Sequence, residues 1–147
     1  MAGPMPFETG AELPPLEIEP LTRTTLALYC GASGDYHPLH VDTDWVKANT
    51  PLSDVIGHGM LTMAWLGRLI TGNFRTEQIS RMATRFVAPS RVGDRITCRG
   101  VVVSVDRTER GSAIGFELVA ETAEGKTLAT GSATIEIEHT TEEAPAA

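Results

Sequence analysis

The sequence predicts an α+β fold in which a long antiparallel sheet wraps around one central apolar helix. The first observation is residues 59–71, which are apolar on nearly every side of a helix, with only Thr62 and Arg68 as interruptions. A helix of this kind is normally buried and needs a layer of structure around it. The second observation is that four later segments alternate apolar and polar residues, as half-buried strands do. These segments are residues 81–88, 94–106, 112–122 and 127–138.

Length, composition and charge are those of a single globular domain. The chain has 147 residues, of which 41% are hydrophobic and 21% charged, an ordinary balance that argues against disorder. The net charge of -7 comes without a cluster of lysines and arginines, which argues against nucleic acid or an anionic membrane as a partner. Five arginines could still contact a phosphorylated carrier, although a solvated strand face is the simpler interpretation. They are Arg81, Arg85, Arg91, Arg95 and Arg99.

The cysteines and the apolar segments indicate a cytoplasmic protein. Cys30 and Cys98 lie among apolar residues and are predicted to be reduced and packed, since they make no disulfide framework. The N-terminus has no basic segment followed by an apolar run, so no signal peptide is expected. The longest apolar stretch, residues 60–70, contains Arg68 and is too short to cross a bilayer.

The first half of the chain is predicted to be helical around one irregular loop. Four prolines make residues 1–15 an irregular lead-in. One of the threonines between positions 22 and 25 caps a first helix that ends near Ala32, and Asp42 or Thr43 caps a short second helix. The apolar helix, from Gly59 to Thr71, follows.

The second half is predicted to be a meander of strands. In residues 127–138 the apolar and polar residues alternate strictly from Ala129 to Glu138. Turn sequences containing glycine separate successive strands, which we expect to be antiparallel neighbours. Strands of ten or more residues exceed the usual five or six, as a sheet that curls around a helix requires. This arrangement is the hot-dog fold, with residues 16–138 as the domain and 139–147 as a flexible tail.

The loop between the first two helices carries the candidate catalytic residues. Asp35 and His40 lie five residues apart, with Pro38 between them. Since Pro38 prevents a continuing helix, the two side chains can be aimed at one point. A carboxylate and an imidazole that converge on one water form a general acid–base pair. Apolar surroundings raise the pKa of a carboxyl group and a charged imidazole lowers it, so the direction for Asp35 stays open.

The start of the apolar helix is a candidate oxyanion site. The first N–H groups of a helix have no partner within the helix, and the helix dipole adds positive potential there. Gly59 has no side chain to keep a carbonyl oxygen from its N–H, so it suits an enolate-like thioester oxygen. Four neighbouring residues are candidates for lining the site, with structural or packing roles as the simpler interpretation for His58 and Met60. They are Tyr36, His37, His58 and Met60.

Two motifs in this region resemble those of the MaoC-like dehydratase family, which includes the R-specific enoyl-CoA hydratases. The string SGDYHPLHVD is followed about 14 residues later by IGHGML. The family pattern is SGD-x-N-P-x-H-x-D, with HGM-L opening the central helix. The similarity covers roughly residues 17–138, including a match of Pro89–Asp94 to the family's P-x-x-x-G-D segment.

The resemblance implies roles for three residues. Asp35 and His40 would hold the reacting water, and the backbone N–H of Gly59 would bind the thioester oxygen. The implied reaction is the reversible addition of water to a trans-2-enoyl thioester of coenzyme A or acyl carrier protein, giving the (R)-3-hydroxyacyl product. No metal or other cofactor is implied. His37 stands where the family commonly has Asn, and its imidazole can also donate a hydrogen bond there.

Three alternatives stay open from the sequence. A hot-dog thioesterase commonly has an Asp or Glu on the central helix, and residues 59–71 have none. A metal site could use His37, His40 and Asp42, with His58 as a fourth ligand, but the proline at position 38 removes the helical spacing such ligands usually have. A subunit of a heteromeric dehydratase is the third. The open sheet edge predicts at least a homodimer, or a pair with a second hot-dog subunit.

Overall fold

One five-stranded antiparallel sheet and three α-helices make up the described part of the chain, residues 8–107, 109 and 111–138 of the computed structural model. The helices are α1 (Arg23–Ser33), α2 (Thr43–Asn49) and α3 (Gly59–Thr71). The strands are β1 (Leu16–Ile18), β2 (Ile79–Phe86), β3 (Ile96–Arg107), β4 (Gly111–Thr122) and β5 (Thr127–Glu138). Short 3-10 turns cover Pro38–His40 and Thr76–Gln78. The predicted hot-dog, α+β architecture is confirmed.

The caps of the first two helices follow from the sequence. The Thr22 hydroxyl accepts a hydrogen bond from the Thr25 N–H at 3.0 Å, which satisfies a donor at the start of α1. Gly34 ends α1 with a φ of 76°, a left-handed conformation that glycine adopts at little cost. The Asp42 carboxylate accepts from the Trp45 N–H at 2.9 Å and so starts α2. Both caps are as predicted.

Helix α3 packs against the sheet through one face only. Its buried residues include Leu66, Leu69 and Ile70, each no more than 2% exposed, and burying such side chains contributes roughly 1.5–3 kcal/mol each. On the other face Met60 is 55% exposed and Arg68 is exposed as well. The prediction that α3 is covered on every side is therefore wrong for the described single chain, because the sheet reaches only one face of the helix.

The strand order is β1-β3-β4-β5-β2. The long hairpins β3–β4 and β4–β5 are confirmed as antiparallel neighbours. The expectation that β2 lies beside β3 is wrong, because β2 pairs with β5. The N–H groups of Val87 and Ala88 both donate to the Leu128 carbonyl, which holds the chain at the β5 edge before residues 89–95 cross to β3.

The N-terminal segment pairs with the edge of β3 that β2 leaves free. Strand β1, which the sequence did not predict, pairs with β3, and the Leu13 N–H donates to the Gly100 carbonyl at 2.9 Å. Leu13 is only 3% exposed, so the described end of the lead-in joins the core. The domain limits at residues 16 and 138 stay predictions. The rest of the lead-in, residues 1–7, and the predicted tail, residues 139–147, lie outside the described residues.

Both cysteines are buried free thiols, as expected. Burial raises the pKa of the Cys98 thiol to about 12, because a low-dielectric interior disfavours the thiolate. Among the described residues no helix is long and apolar enough to cross a lipid bilayer.

Candidate active site

The loop between α1 and α2 is held by its own side chains. After the left-handed turn at Gly34, the Asp35 N–H donates to the Ser33 hydroxyl at 3.2 Å. The Asp35 carboxylate accepts in turn from the His37 N–H, also at 3.2 Å. Local bonds of this kind let a polar segment adopt a fixed non-helical path. The loop therefore presents Asp35 and the 3-10 turn at Pro38–His40 in a defined relation.

Asp35 and His40 face each other. Asp35 Oδ2 lies 3.8 Å from His40 Nε2, and the side chains are 51% and 12% exposed, respectively. His40 Nδ1 lies 2.8 Å from the carbonyl oxygen of Ile56. Because a carbonyl only accepts, Nδ1 carries the proton in this bond, and in the neutral ring Nε2 keeps its lone pair. The Ile56 carbonyl therefore selects the tautomer that turns an acceptor toward Asp35.

His58 lies directly behind this pair. Its ring stacks on that of His40 with centroids 3.8 Å apart and planes inclined by 22°. His58 Nε2 lies 3.4 Å from the Asp35 carbonyl oxygen and 3.5 Å from Cys30 Sγ. Burial lowers the pKa of His58, and the neighbouring charge of His40 lowers it further. The site thus holds a neutral imidazole against the His40 ring.

A cleft of about 300 Å³ opens beside His40. Its walls come from the loop before α3, the first turn of α3, the end of β2 with the segment that follows, and β5. The lining residues are His40, Ile56, Gly57, Gly59, Thr62, Phe86, Val87, Ala88, Pro89, Ser90 and Leu128. Most are apolar, with few polar groups around the imidazole, which is the usual character of a small-molecule site.

Two glycines make close approaches in the wall of the cleft. A Cβ on Gly59 would lie 3.3 Å from the Phe86 ring. The start of α3 therefore has little room for a side chain beside this ring. The Gly59 N–H, as the first of the helix, has no acceptor within α3. A Cβ on Gly57 would collide with Ser90 Oγ, and Ser90 is 2% exposed. At both positions it is the glycine backbone that borders the cleft beside His40.

Comparison with known proteins identifies the family. A family model described as "MaoC like domain" matches residues 8–124 of this chain. The chain belongs to this family.

Individual relatives of this MaoC-like domain are distant in sequence and close in fold. It is 29% identical over 98 residues to 3-hydroxyacyl-thioester dehydratase Z of Mycobacterium tuberculosis, covering 63% of this chain and 64% of the relative. The (R)-hydratase from A. caviae involved in PHA biosynthesis superposes with a TM-score of 0.76 and 23% identity, covering 88% of this chain and 96% of that one. The ChsH1–ChsH2 complex from M. tuberculosis gives a TM-score of 0.75 and 21% identity, covering 88% and 98%. The matched part of the chain thus spans 64% of the curated relative's length, and the two structural matches establish the fold.

Not all residues predicted to line the site of this MaoC-like domain lie in the cleft. Tyr36 is 69% and Met60 55% exposed, and neither belongs to the cleft wall of the described chain. His37 is exposed; its Nδ1 accepts from the Leu39 N–H at 3.1 Å and its ring meets Trp45 edge-on, with centroids 5.3 Å apart. Their lining role stays a prediction.

Several groups in the site were not predicted from the sequence. The Ile56 carbonyl could not be identified, because any residue type supplies the same backbone oxygen. Ser90 lies within the Pro89–Asp94 motif and Phe86 lies three residues before it, and their nearness to the motif was the available signal. Leu128 reaches the cleft from β5, which only the strand order brings there.

A metal site does not fit this geometry well. Asp35, His40 and His58 bring possible ligand atoms within 4.8 Å of one another, which differs from the set that the sequence suggested. An imidazole binds a metal along its nitrogen lone pair, in the ring plane, at about 2.0 Å. The stacked rings of His40 and His58 have nearly parallel planes, so their lone pairs do not converge. Asp42, from the earlier set, is occupied as the cap of α2.

Proposed function

We propose that this MaoC-like domain catalyses the reversible hydration of a trans-2-enoyl thioester to the (R)-3-hydroxyacyl thioester. The observation that carries the proposal is the approach of Asp35 Oδ2 to His40 Nε2, 3.8 Å apart. His40 lines the cleft together with Gly59, whereas Asp35 is not part of its wall. A gap of this size leaves both atoms free to bond to one water placed beside them. The names of the relatives agree with this chemistry.

In the proposed reaction Asp35 and His40 hold one water. As its oxygen bonds to C3 of the substrate, one water proton passes to C2 through the pair, so that hydroxyl and hydrogen add on the same face. Each side chain ends in the protonation state in which it began. The Nδ1–H bond from His40 to the Ile56 carbonyl keeps Nε2 available as an acceptor. We assign the proton transfers to the pair as a unit.

The thioester oxygen gains negative charge as the C2–C3 bond is attacked. We assign its stabilisation to the Gly59 N–H, at the positive end of the 13-residue helix α3. The close fit of Gly59 to Phe86 gives a separate, steric reason for glycine at position 59, since a Cβ there would lie 3.3 Å from the aromatic ring.

Arg91 is the arginine we assign to the carrier's phosphate groups. Arg85 and Arg99 line a groove of about 770 Å³ on the outer face of the sheet, the face opposite α3. Arg91 instead lines a cavity of about 280 Å³ that shares Ile56 with the cleft. A thioester whose acyl group lies beside His40 would therefore pass its carrier toward Arg91.

We propose that the domain functions as a dimer. Strand β2 lies at an edge of the described sheet, and edge strands leave backbone groups free to pair. The exposed face of α3 beside this edge includes Met60. A second copy of this chain is the partner we favour, and the ChsH1–ChsH2 neighbour makes a second hot-dog subunit the alternative. We place the protein in the cytoplasm, where its two buried thiols would stay reduced.

Incubation with trans-2-enoyl-CoA esters of graded chain length tests the activity. Loss of the enoyl absorbance without release of free thiol, with chiral analysis giving the R product, is the expected result. Free thiol without hydration would instead identify a thioesterase, although α3 carries no carboxylate. Activity that appears only on co-expression with a neighbouring hot-dog protein would identify a heteromer.

A further inference from the structure

We propose that His58 is a positioning residue that fixes both members of the Asp35–His40 pair, a role that rests on the function proposed above. His58 is 1% exposed and bridges three parts of the molecule: α1, the loop that carries Asp35, and the start of α3. Its side chain acts through the pair and does not itself touch substrate.

The position of His58 in the chain suggests a simpler role, which the contacts do not support. His58 stands at the N-cap of α3, where a side chain normally accepts a hydrogen bond from the first turn. Its side chain makes no such capping bond. The imidazole is turned away from the helix that it precedes and into the site, so its contacts there need another explanation.

The first of these contacts is to the backbone of Asp35. The Asp35 carbonyl, 3.4 Å from His58 Nε2, can only accept, so Nε2 carries the proton. Cys30 Sγ lies 3.5 Å from the same nitrogen, and the Tyr29 ring packs edge-on with its centroid 4.8 Å from that of His58. Helix α1 thus holds the imidazole in a fixed orientation, and the imidazole holds the residue whose carboxylate faces His40.

The second contact is the stack on His40. With the ring centroids 3.8 Å apart, His58 closes one face of the His40 ring. The bond from His40 Nδ1 to the Ile56 carbonyl fixes one edge of that ring. A bond at one edge leaves the ring free to tilt, and a packed face removes that freedom. Together they aim Nε2 of His40 at Asp35.

Because His58 is buried, it can hold the Asp35–His40 pair in place without acting as a second base in the reaction. With Nε2 protonated, its second nitrogen, Nδ1, is buried and has no hydrogen-bond partner within the described residues. This nitrogen is therefore not accessible from the cleft. The ring can therefore stack on His40 as a neutral group while His40 gains and loses a proton.

Two substitutions separate the two contacts. His58→Phe keeps a ring to stack on His40 and loses the donor to Asp35, whereas His58→Gln keeps a donor near the Nε2 position and loses the ring. We expect each to lower kcat about 10-fold or more while KM changes less than about 2-fold, because displacement of catalytic groups by about an ångström acts on the chemical step. Ile114→Val, a change in the β4 core with Ile114 fully buried, is the matched control and should lower the melting temperature alone.

Nitrogen-15 NMR of the histidine rings near pH 7 supplies a readout that is independent of activity. In the wild type we expect His40 as the Nδ1–H tautomer and His58 as the neutral Nε2–H tautomer. Loss of the stack in His58→Gln should shift or broaden the His40 ring resonances, whereas His58→Phe should leave them nearly unchanged. A wild-type His58 that is charged or protonated at Nδ1 would overturn the proposal, even if no variant folds. So would variants that keep kcat within 2-fold, or a His58→Gln variant that loses activity with the His40 ring resonances unchanged. If the wild type hydrates no enoyl thioester, the proposed function fails, and the NMR result still decides the positioning role.

Discussion

The guanidinium of Arg23 donates two hydrogen bonds, of 2.7 and 2.6 Å, to the two carboxylate oxygens of Asp54, 31 positions further along the chain. The same carboxylate accepts from the Thr43 hydroxyl at 3.0 Å and from the Val55 N–H at 2.7 Å. This cluster ties the starts of α1 and α2 to the loop before α3. That loop supplies the Ile56 carbonyl and His58, so the cluster supports the site without touching it.

The cluster predicts an acid-dependent loss of stability. The Arg23 hydrogen bonds hold the pKa of the Asp54 carboxyl far below its usual range, with help from Val55 and Thr43. A folded-state pKa below the unfolded one gives stability that is full above the unfolded value, about 3.9, and is lost as the pH falls toward the folded value. Asp54→Asn should therefore have a lower melting temperature than the wild type at pH 7. The difference between the two melting temperatures should shrink as the pH falls below about 4. A constant difference across that range would contradict the prediction.

Removing either member of the candidate pair should abolish most of the activity. Asp35→Asn and His40→Ala should each lower kcat at least ~100-fold, the lower scale for a positioned acid or base. The measurement is enoyl-CoA hydration at saturating substrate. Asp42→Asn is the matched control for Asp35→Asn, because asparagine caps a helix about as well as aspartate. Equal losses in Asp35→Asn and Asp42→Asn would show a loop effect and refute the specific role.

The contact of Gly57 with Ser90 predicts a compensating pair of substitutions. In Gly57→Ala the new Cβ collides with Ser90 Oγ, and overpacking in a buried site typically costs about 1–3 kcal/mol of unfolding free energy. Ser90→Ala removes that oxygen and leaves the Ser90 Cβ 3.4 Å away. The double variant should therefore regain part of the stability in denaturant unfolding. Strictly additive losses would mean that the two residues do not share the contact.

Arg91 should affect affinity for the carrier and not the chemical step. Arg91→Gln is expected to raise KM for an enoyl-CoA several-fold with kcat nearly unchanged, since it removes a contact made equally in substrate and transition state. Arg85→Gln, on the outer face of the sheet, is the control. Comparison with an enoyl-pantetheine substrate without phosphates checks the cause. The prediction is wrong if Arg91→Gln and the control behave alike with enoyl-CoA.

The exposed face of α3 should be covered in the dimer. Met60→Glu places a charge where the single chain leaves the side chain 55% exposed, so the fold should survive while the dimer weakens. Leu28→Glu, at a position 69% exposed on α1, is the control. Light scattering across micromolar concentrations measures both. A dimer that Met60→Glu leaves intact would require an interface elsewhere.

The sequence by itself determined the three α-helices, the four longer strands and the family motifs of this protein. The threonine and aspartate caps, the glycine at position 34 and the alternation in β4 and β5 act over a few neighbouring residues, so their effects could be predicted without tertiary structure. Asp35, His40 and Gly59 were predicted as candidate site residues in the same way, from residue types at short spacings.

Only the tertiary structure decided how these elements meet. The pairing of β2 with β5, the exposed face of α3 and the arrival of Leu128 at the cleft depend on which distant segments compete for an edge or a face. The Ile56 carbonyl and the buried ring of His58 belong to the same class. A backbone oxygen has no sequence signature, and a histidine's contacts with Cys30 and His40 depend on where the chain folds back. Local patterns encode propensity and chemistry, whereas long-range packing sets the directions in which side chains point.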